Sequence, residues 1–90
     1  MEARRTVRIV NASGLHARPC HALVTAALRY QSELRVACEG REVNGKSILE
    51  LMTLNAGPEA VLDLSARGGD AQALVDELAA LVEGGFSESG

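Results

Sequence analysis

Two apolar rhythms alternate along this chain, and their order leaves few folds open. In residues 4–10, Thr6 and Arg8 fall on one side and Val7 and Ile9 on the other, the period of a half-buried strand. Asn11-Ala-Ser-Gly14 then reads as a turn. From Ala17 to Tyr30 the period lengthens: Cys20, Leu23, Val24, Ala27 and Leu28 make one helical stripe, and Pro19 suits the first turn. Residues 34–38 return to strand, Glu39-Gly40-Arg41 turns tightly, and Glu42-Val43 starts a short third strand ending at Asn44-Gly45, which predicts a hairpin. Ser47-Ile-Leu-Glu50 has the form of a capping box, so a short helix should run to about Leu54 and break at Ala56-Gly-Pro58. Residues 60–65 alternate again, with Val61 opposite Leu62 and Leu64. Asp70 can cap a last helix whose stripe is Leu74, Val75, Leu78, Leu81 and Val82, stopped by Gly84-Gly85.

The order is therefore βαββαβα. Strands with one apolar face need that face covered, and three amphipathic helices on one side of a four-stranded, mainly antiparallel sheet would do it. This is an α+β fold whose other sheet face meets solvent. With 90 residues the chain is one domain, expected over residues 1–85, with 86–90 as a flexible tail. No apolar run approaches the roughly 20 residues of a membrane span. The start, MEARRTVRIV, lacks the apolar stretch of a signal peptide, so the expected location is the cytoplasm and no membrane partner is expected. Cys20 and Cys38 are too few for a disulfide scaffold and read as free thiols.

Charge divides unevenly along the sequence. Residues 1–46 carry eight Lys/Arg and four Asp/Glu, whereas residues 47–90 carry one Arg and eight Asp/Glu. One basic and one acidic surface would follow, or simply two solvated faces. A nucleic-acid partner is not expected: Tyr30 and Phe86 are the only aromatic residues, and no dense basic run exists.

His16 stands out by its place. It lies at the mouth of a helix whose first N–H groups have no partner in the turn before, and whose partial positive charge attracts anions. Arg18 adds a fork of donors suited to phosphate oxygens. An ordinary imidazole is largely uncharged near neutral pH and can attack phosphorus. Spacing alone favours the plainer account, an exposed residue at a helix start. Ser47 is first of all a helix cap, worth about 1 kcal/mol; as a phosphorylation site it would place a dianion at a helix start. In the short helix after it, Leu51 and Leu54 suit the core side. Ile48, Leu49 and Met52 then cannot all be buried, and part of them should form an exposed apolar patch for a protein partner. His16, Cys20 and His21 lack an established metal-ligand spacing, so neither metal nor cofactor is expected.

Gly14-Leu15-His16-Ala17-Arg18-Pro19, followed about 30 residues later by Asn44-Gly45-Lys46-Ser47-Ile48-Leu49, resembles the histidine-containing phosphocarrier family, HPr, of the bacterial phosphotransferase system. The likeness covers nearly the whole chain and reverses the balance at His16. It implies an open-faced β-sandwich and a monomeric carrier, not an enzyme. His16 would accept a phosphoryl group on Nδ1 from enzyme I, itself charged by phosphoenolpyruvate, and pass it to an A component. Arg18 matches the family's active-site arginine. Ser47 matches the serine modified by an ATP-dependent kinase/phosphorylase in organisms that have one. Ile48, Leu49 and Met52 fall at the family's docking patch. Two features depart from the pattern. Cys20-His21 stands where small residues are usual, and Glu50 where many members with the regulatory serine have glycine. The ending Leu81-Val-Glu-Gly-Gly-Phe86 is similar to the nitrogen-related paralogues. That leaves sugar transport and a regulatory phosphorelay, including one controlled through Ser47, both open.

Overall fold

A computed structural model describes residues 1–87. The elements are β1 (Glu2–Arg8), α1 (Ala17–Ala27), β2 (Glu33–Cys38), β3 (Arg41–Asn44), α2 (Ile48–Met52), β4 (Val61–Arg67) and α3 (Ala71–Glu83). The order is the expected βαββαβα. The four strands form one sheet in the order β1-β4-β2-β3, with every neighbouring pair antiparallel. Because β4 inserts between β1 and β2, the chain needs α1 to cross from one side of it to the other.

Strand alternation decides which face is covered. Ala3, Val7, Leu34, Val36, Val43, Leu62, Leu64 and Ala66 point to the helices and are buried. Glu2, Arg4, Thr6, Glu33, Arg35, Asp63 and Arg67 point the other way and are exposed. From α3 the sheet receives Leu74, Val75, Leu78 and Val82, while α1, packed on α2 and α3, turns Cys20, Leu23, Val24 and Ala27 into the same core, all buried. Each fully buried leucine or valine contributes about 1.5–3 kcal/mol of apolar transfer. The β2–β3 hairpin closes on Glu39 and Gly40, with φ of 51° and 84°, the paired positive values of the turn that matches strand twist.

Several expectations need correction. β1 starts and ends two residues earlier than residues 4–10, because Glu2 and Ala3 pair with Arg67 and Ala66 of β4. The α1 helix ends at Ala27, not Tyr30. Leu28, its C-cap, leaves the stripe and is 64% exposed. Asp70 does not cap α3 with its side chain. Its carboxylate accepts instead from the N–H groups of Gln31 and Ser32 at 2.9 and 3.0 Å, and from the Ser32 hydroxyl. These bonds, the Ser32 hydroxyl first, hold its carboxyl below the usual 3.8. Ion pairs join the two halves of opposite charge. Arg5 of β1 reaches Asp76 of α3 at 3.0 Å, Arg29 pairs with Glu77, and Arg67 pairs with Glu2 at 2.8 Å. Folding thus sets charges of one half against opposite charges of the other.

After α3 a short 3-10 turn, Gly85–Ser87, carries Phe86 against the core. Residues 88–90, the end of the expected tail, lie outside the described residues. Among the described residues no helix is long and apolar enough to cross a membrane.

Candidate functional site

The segment from Asn11 to Arg18 delivers the candidate residues to the surface. The buried Asn11 side chain donates from Nδ2 to the Gly14 carbonyl at 2.8 Å. Gly14 sits at φ +67°, where L side chains are strained, and a Cβ there would lie 2.6 Å from the Ala56 carbonyl oxygen. Leu15, also buried, donates its N–H to that same oxygen at 2.8 Å. The loop after α2 therefore clamps the residues just before His16. Sequence reasoning missed this clamp, since nothing local marks Ala56 as the partner of Leu15.

His16 is the N-cap residue of α1 and is exposed, with extended backbone angles of φ −87° and ψ −171°. Its side chain does not cap the helix; its carbonyl accepts from Cys20 N–H at 3.1 Å. Pro19 has no N–H to offer. The N–H groups of Ala17 and Arg18 have no acceptor among the described residues. Two backbone donors thus stand at the positive end of an 11-residue helix, immediately after the imidazole. No acidic residue occupies the first turn to compete with an incoming anion. Arg18, second in the helix, is exposed.

Cys20 is not a thiol offered to this site. It is buried and donates to the Leu15 carbonyl at 3.6 Å, and burial pushes its thiol up to about 11. It braces the loop from below. His21 lies on the exposed side of α1, facing a groove against α3 with Arg29 and Leu81. Among the described residues, no three His, Cys, Asp or Glu side chains come together in a metal-binding group.

Ser47 caps α2 as its sequence suggests, accepting from Glu50 N–H at 3.2 Å. The reciprocal half of the capping box is missing. The Glu50 carboxylate accepts from Asn44 N–H at 3.0 Å, tying α2 to the end of β3. Leu51 is fully buried, Ile48 and Leu54 are half-buried, Leu49 is 79% exposed and Met52 40% exposed. A five-residue helix that buries one face leaves the others outward, which produces the apolar patch. Since α2 packs on α1, that patch and His16 belong to the same helical layer.

The chain is similar to known proteins in sequence and in backbone. The family described as the PTS HPr component phosphorylation site is matched over residues 3–84. The chain is similar to the phosphocarrier protein HPr of Treponema pallidum, 36% identical over 93% of this chain and 96% of that protein. It is equally similar to the phosphocarrier protein HPr of Cupriavidus necator, 36% identical over 94% and 96%. The crystal structure of HPr from Thermoanaerobacter tengcongensis superposes with a TM-score of 0.93 at 35% identity, covering 98% of this chain and 99% of that one. Agreement in sequence and backbone across nearly the full length of each relative places the chain in a family of carriers rather than enzymes: it belongs to the HPr family of phosphotransferase-system phosphocarriers.

Proposed function

We propose that His16 is the phosphoryl acceptor, loaded by enzyme I that phosphoenolpyruvate has charged, and unloaded onto an A component. The observation that carries this reading is an exposed imidazole set directly before two helix N–H groups without an acceptor among the described residues. In the loading step the lone pair of Nδ1 attacks phosphorus. A nitrogen–phosphorus bond forms as the bond from phosphorus to the donor's leaving atom breaks, and that electron pair stays with the donor. The other ring nitrogen keeps its proton. Charge on the phosphoryl oxygens falls toward the Ala17 and Arg18 N–H groups, backbone donors that need no reorganisation, and toward the Arg18 guanidinium, an exposed side chain free to swing onto it. These donors hold the group without burying it, so a partner can reach it for onward transfer.

Leu49 and Met52, with Ile48 beneath them, form the docking patch for enzyme I and the A component. Ser47 begins the same helix, so a phosphate on its hydroxyl would set a dianion beside the patch and weaken docking. Titration of enzyme I with the Ser47→Asp variant in a calorimeter should show about tenfold weaker binding, some 1.4 kcal/mol. Equal affinity would exclude Ser47 from control of this patch.

The test of the main reading is incubation with phosphoenolpyruvate and enzyme I. It should leave an acid-labile, base-stable phosphate on the wild-type chain and none on His16→Ala. Label that persists in the variant would assign the acceptor elsewhere.

A further inference from the structure

The face of the sheet that the helices leave open is not uniform. Register places Arg4 of β1 and Arg35 of β2 on either side of Ser65 in β4, all three on the outer face. Adjacent strands lie about 4.8 Å apart, so two guanidiniums some 10 Å apart at their backbones can reach over one hydroxyl. The Arg4 guanidinium makes no side-chain hydrogen bond or close ion pair among the described residues, though its charge acts on the nearby Glu2 carboxyl. Arg35 is engaged only through Nε, with Glu42 at 3.2 Å, which leaves both terminal amino groups available. The Ser65 hydroxyl also lacks a partner among the described residues. One row further along the strands, Glu2, Arg67 and Glu33 stand in register. Arg67 is committed to Glu2 at 2.8 Å, while the Glu33 carboxylate accepts no hydrogen bond among the described residues. Together these side chains line a recess of about 300 Å³, at the lower end of the range for small-ligand sites.

Arg4 and Arg35 flank the neutral Ser65 donor, and although Glu2, Glu33 and Glu42 also line the recess, the two guanidiniums present forked N–H groups of the kind that bind phosphate oxygens. An acceptor at the recess edge adds a second requirement, a hydroxyl on the ligand. We propose that this recess binds a small phosphate monoester carrying hydroxyl groups. Its phosphate lies between Arg4 and Arg35 over the Ser65 hydroxyl, and one of its hydroxyls donates to Glu33. The site lies on the sheet face away from the helical layer that carries His16, so a carrier could hold such a ligand while its imidazole is loaded.

The test is a titration of the ¹⁵N-labelled full chain with glycerol 3-phosphate, and separately with inorganic phosphate, at constant ionic strength. Backbone amide shifts resolve the sheet from the start of α1. Glycerol 3-phosphate should move the amides of residues 34–36 and 64–66 saturably at millimolar concentrations. It should saturate about threefold below inorganic phosphate, the scale of one net hydrogen bond. In the double variant Arg4→Gln/Arg35→Gln the saturable shifts on the sheet should vanish. Both positions are exposed, so stability should stay within about 0.5 kcal/mol of wild type, and unchanged amide positions elsewhere in the spectrum check this. Absence of saturation on the sheet in the wild type, or its survival in the double variant, overturns the site. Equal midpoints for the two phosphates overturn the role of Glu33 and with it the ligand class.

Discussion

The N–H of Leu15 and an imagined Cβ on Gly14 converge on a single atom, the carbonyl oxygen of Ala56, at 2.8 and 2.6 Å. The first contact is a hydrogen bond and the second is an overlap with rigid backbone. The presentation of His16 therefore depends on a glycine two residues before it. Gly14→Ala must both adopt φ near +67° and push the Ala56–Gly57 backbone away. Left-handed strain of about 1–2 kcal/mol and an overpacking cost of about 1–3 kcal/mol give a loss of roughly 2–5 kcal/mol. Urea unfolding should read this as a lower midpoint with an unchanged slope. A variant as stable as wild type would show that the clamp does not set this loop.

The sequence exposes part of this site and conceals the rest for one physical reason. His16, Arg18 and Pro19 are neighbours, so their chemistry is local and readable, as is the Ser47 cap with Glu50 three residues on. The strands and helices are readable because each buries one face, and the sheet period or helix period follows from that. The clamp joins Leu15 to Ala56, and the Asp70 carboxylate joins α3 to Gln31 and Ser32; both are long-range bonds that no local pattern encodes. The Glu50 carboxylate accepts from Asn44 N–H, while the Ser47 N–H that its motif predicts as partner is given to the Asn44 carbonyl. Leu28 fits the helical stripe by spacing, yet the helix stops one residue before it. Periodicity locates faces well and ends poorly.

Arg18 stands exposed in the first turn of α1, with no acidic partner in that turn. Truncation to alanine deletes an anion contact but no core contact, so Arg18→Ala should keep its stability within about 0.5 kcal/mol. Phosphoryl transfer from enzyme I should slow by about tenfold or more, the share of one charge-assisted hydrogen bond of 1.5–3 kcal/mol. Rapid-quench measurement of labelled chain gives the rate. Unchanged transfer in a folded variant would remove the guanidinium from the proposed site.

Burial pushes the Cys20 thiol from an ordinary 9.0 up to about 11. The fold thus favours the neutral thiol. Stability from this preference is fully present below the ordinary value and is lost as pH rises through about 11. The same preference withholds the thiolate that reacts with disulfide reagents. In a Cys38→Ser background at about pH 8, labelling of Cys20 in the native chain should be about a hundredfold slower than in urea from thiolate fraction alone, with burial slowing it further. Rapid native labelling would mean that the thiol is open to solvent beside His16.

Asp70 offers a separate test, in acid. Its carboxylate accepts from the Ser32 hydroxyl and from the N–H groups of Ser32 and Gln31, and its carboxyl is held below the ordinary 3.8 in consequence. A group lowered by folding stabilises the native chain above its ordinary value. That contribution is lost as pH falls through the folded value. Asp70→Asn keeps an acceptor oxygen but removes the charge, so it should be less stable than wild type at about pH 6. The gap should narrow at the lowest pH at which both chains still fold, because folding lowers this carboxyl and its proton returns only as pH falls through the folded value. Urea midpoints of the two proteins at both pH values give the comparison, and other acids cancel because both chains share them. A gap of the same size at both values would mean that the α1–β2 loop is held to α3 by shape and neutral hydrogen bonds, not by this charge.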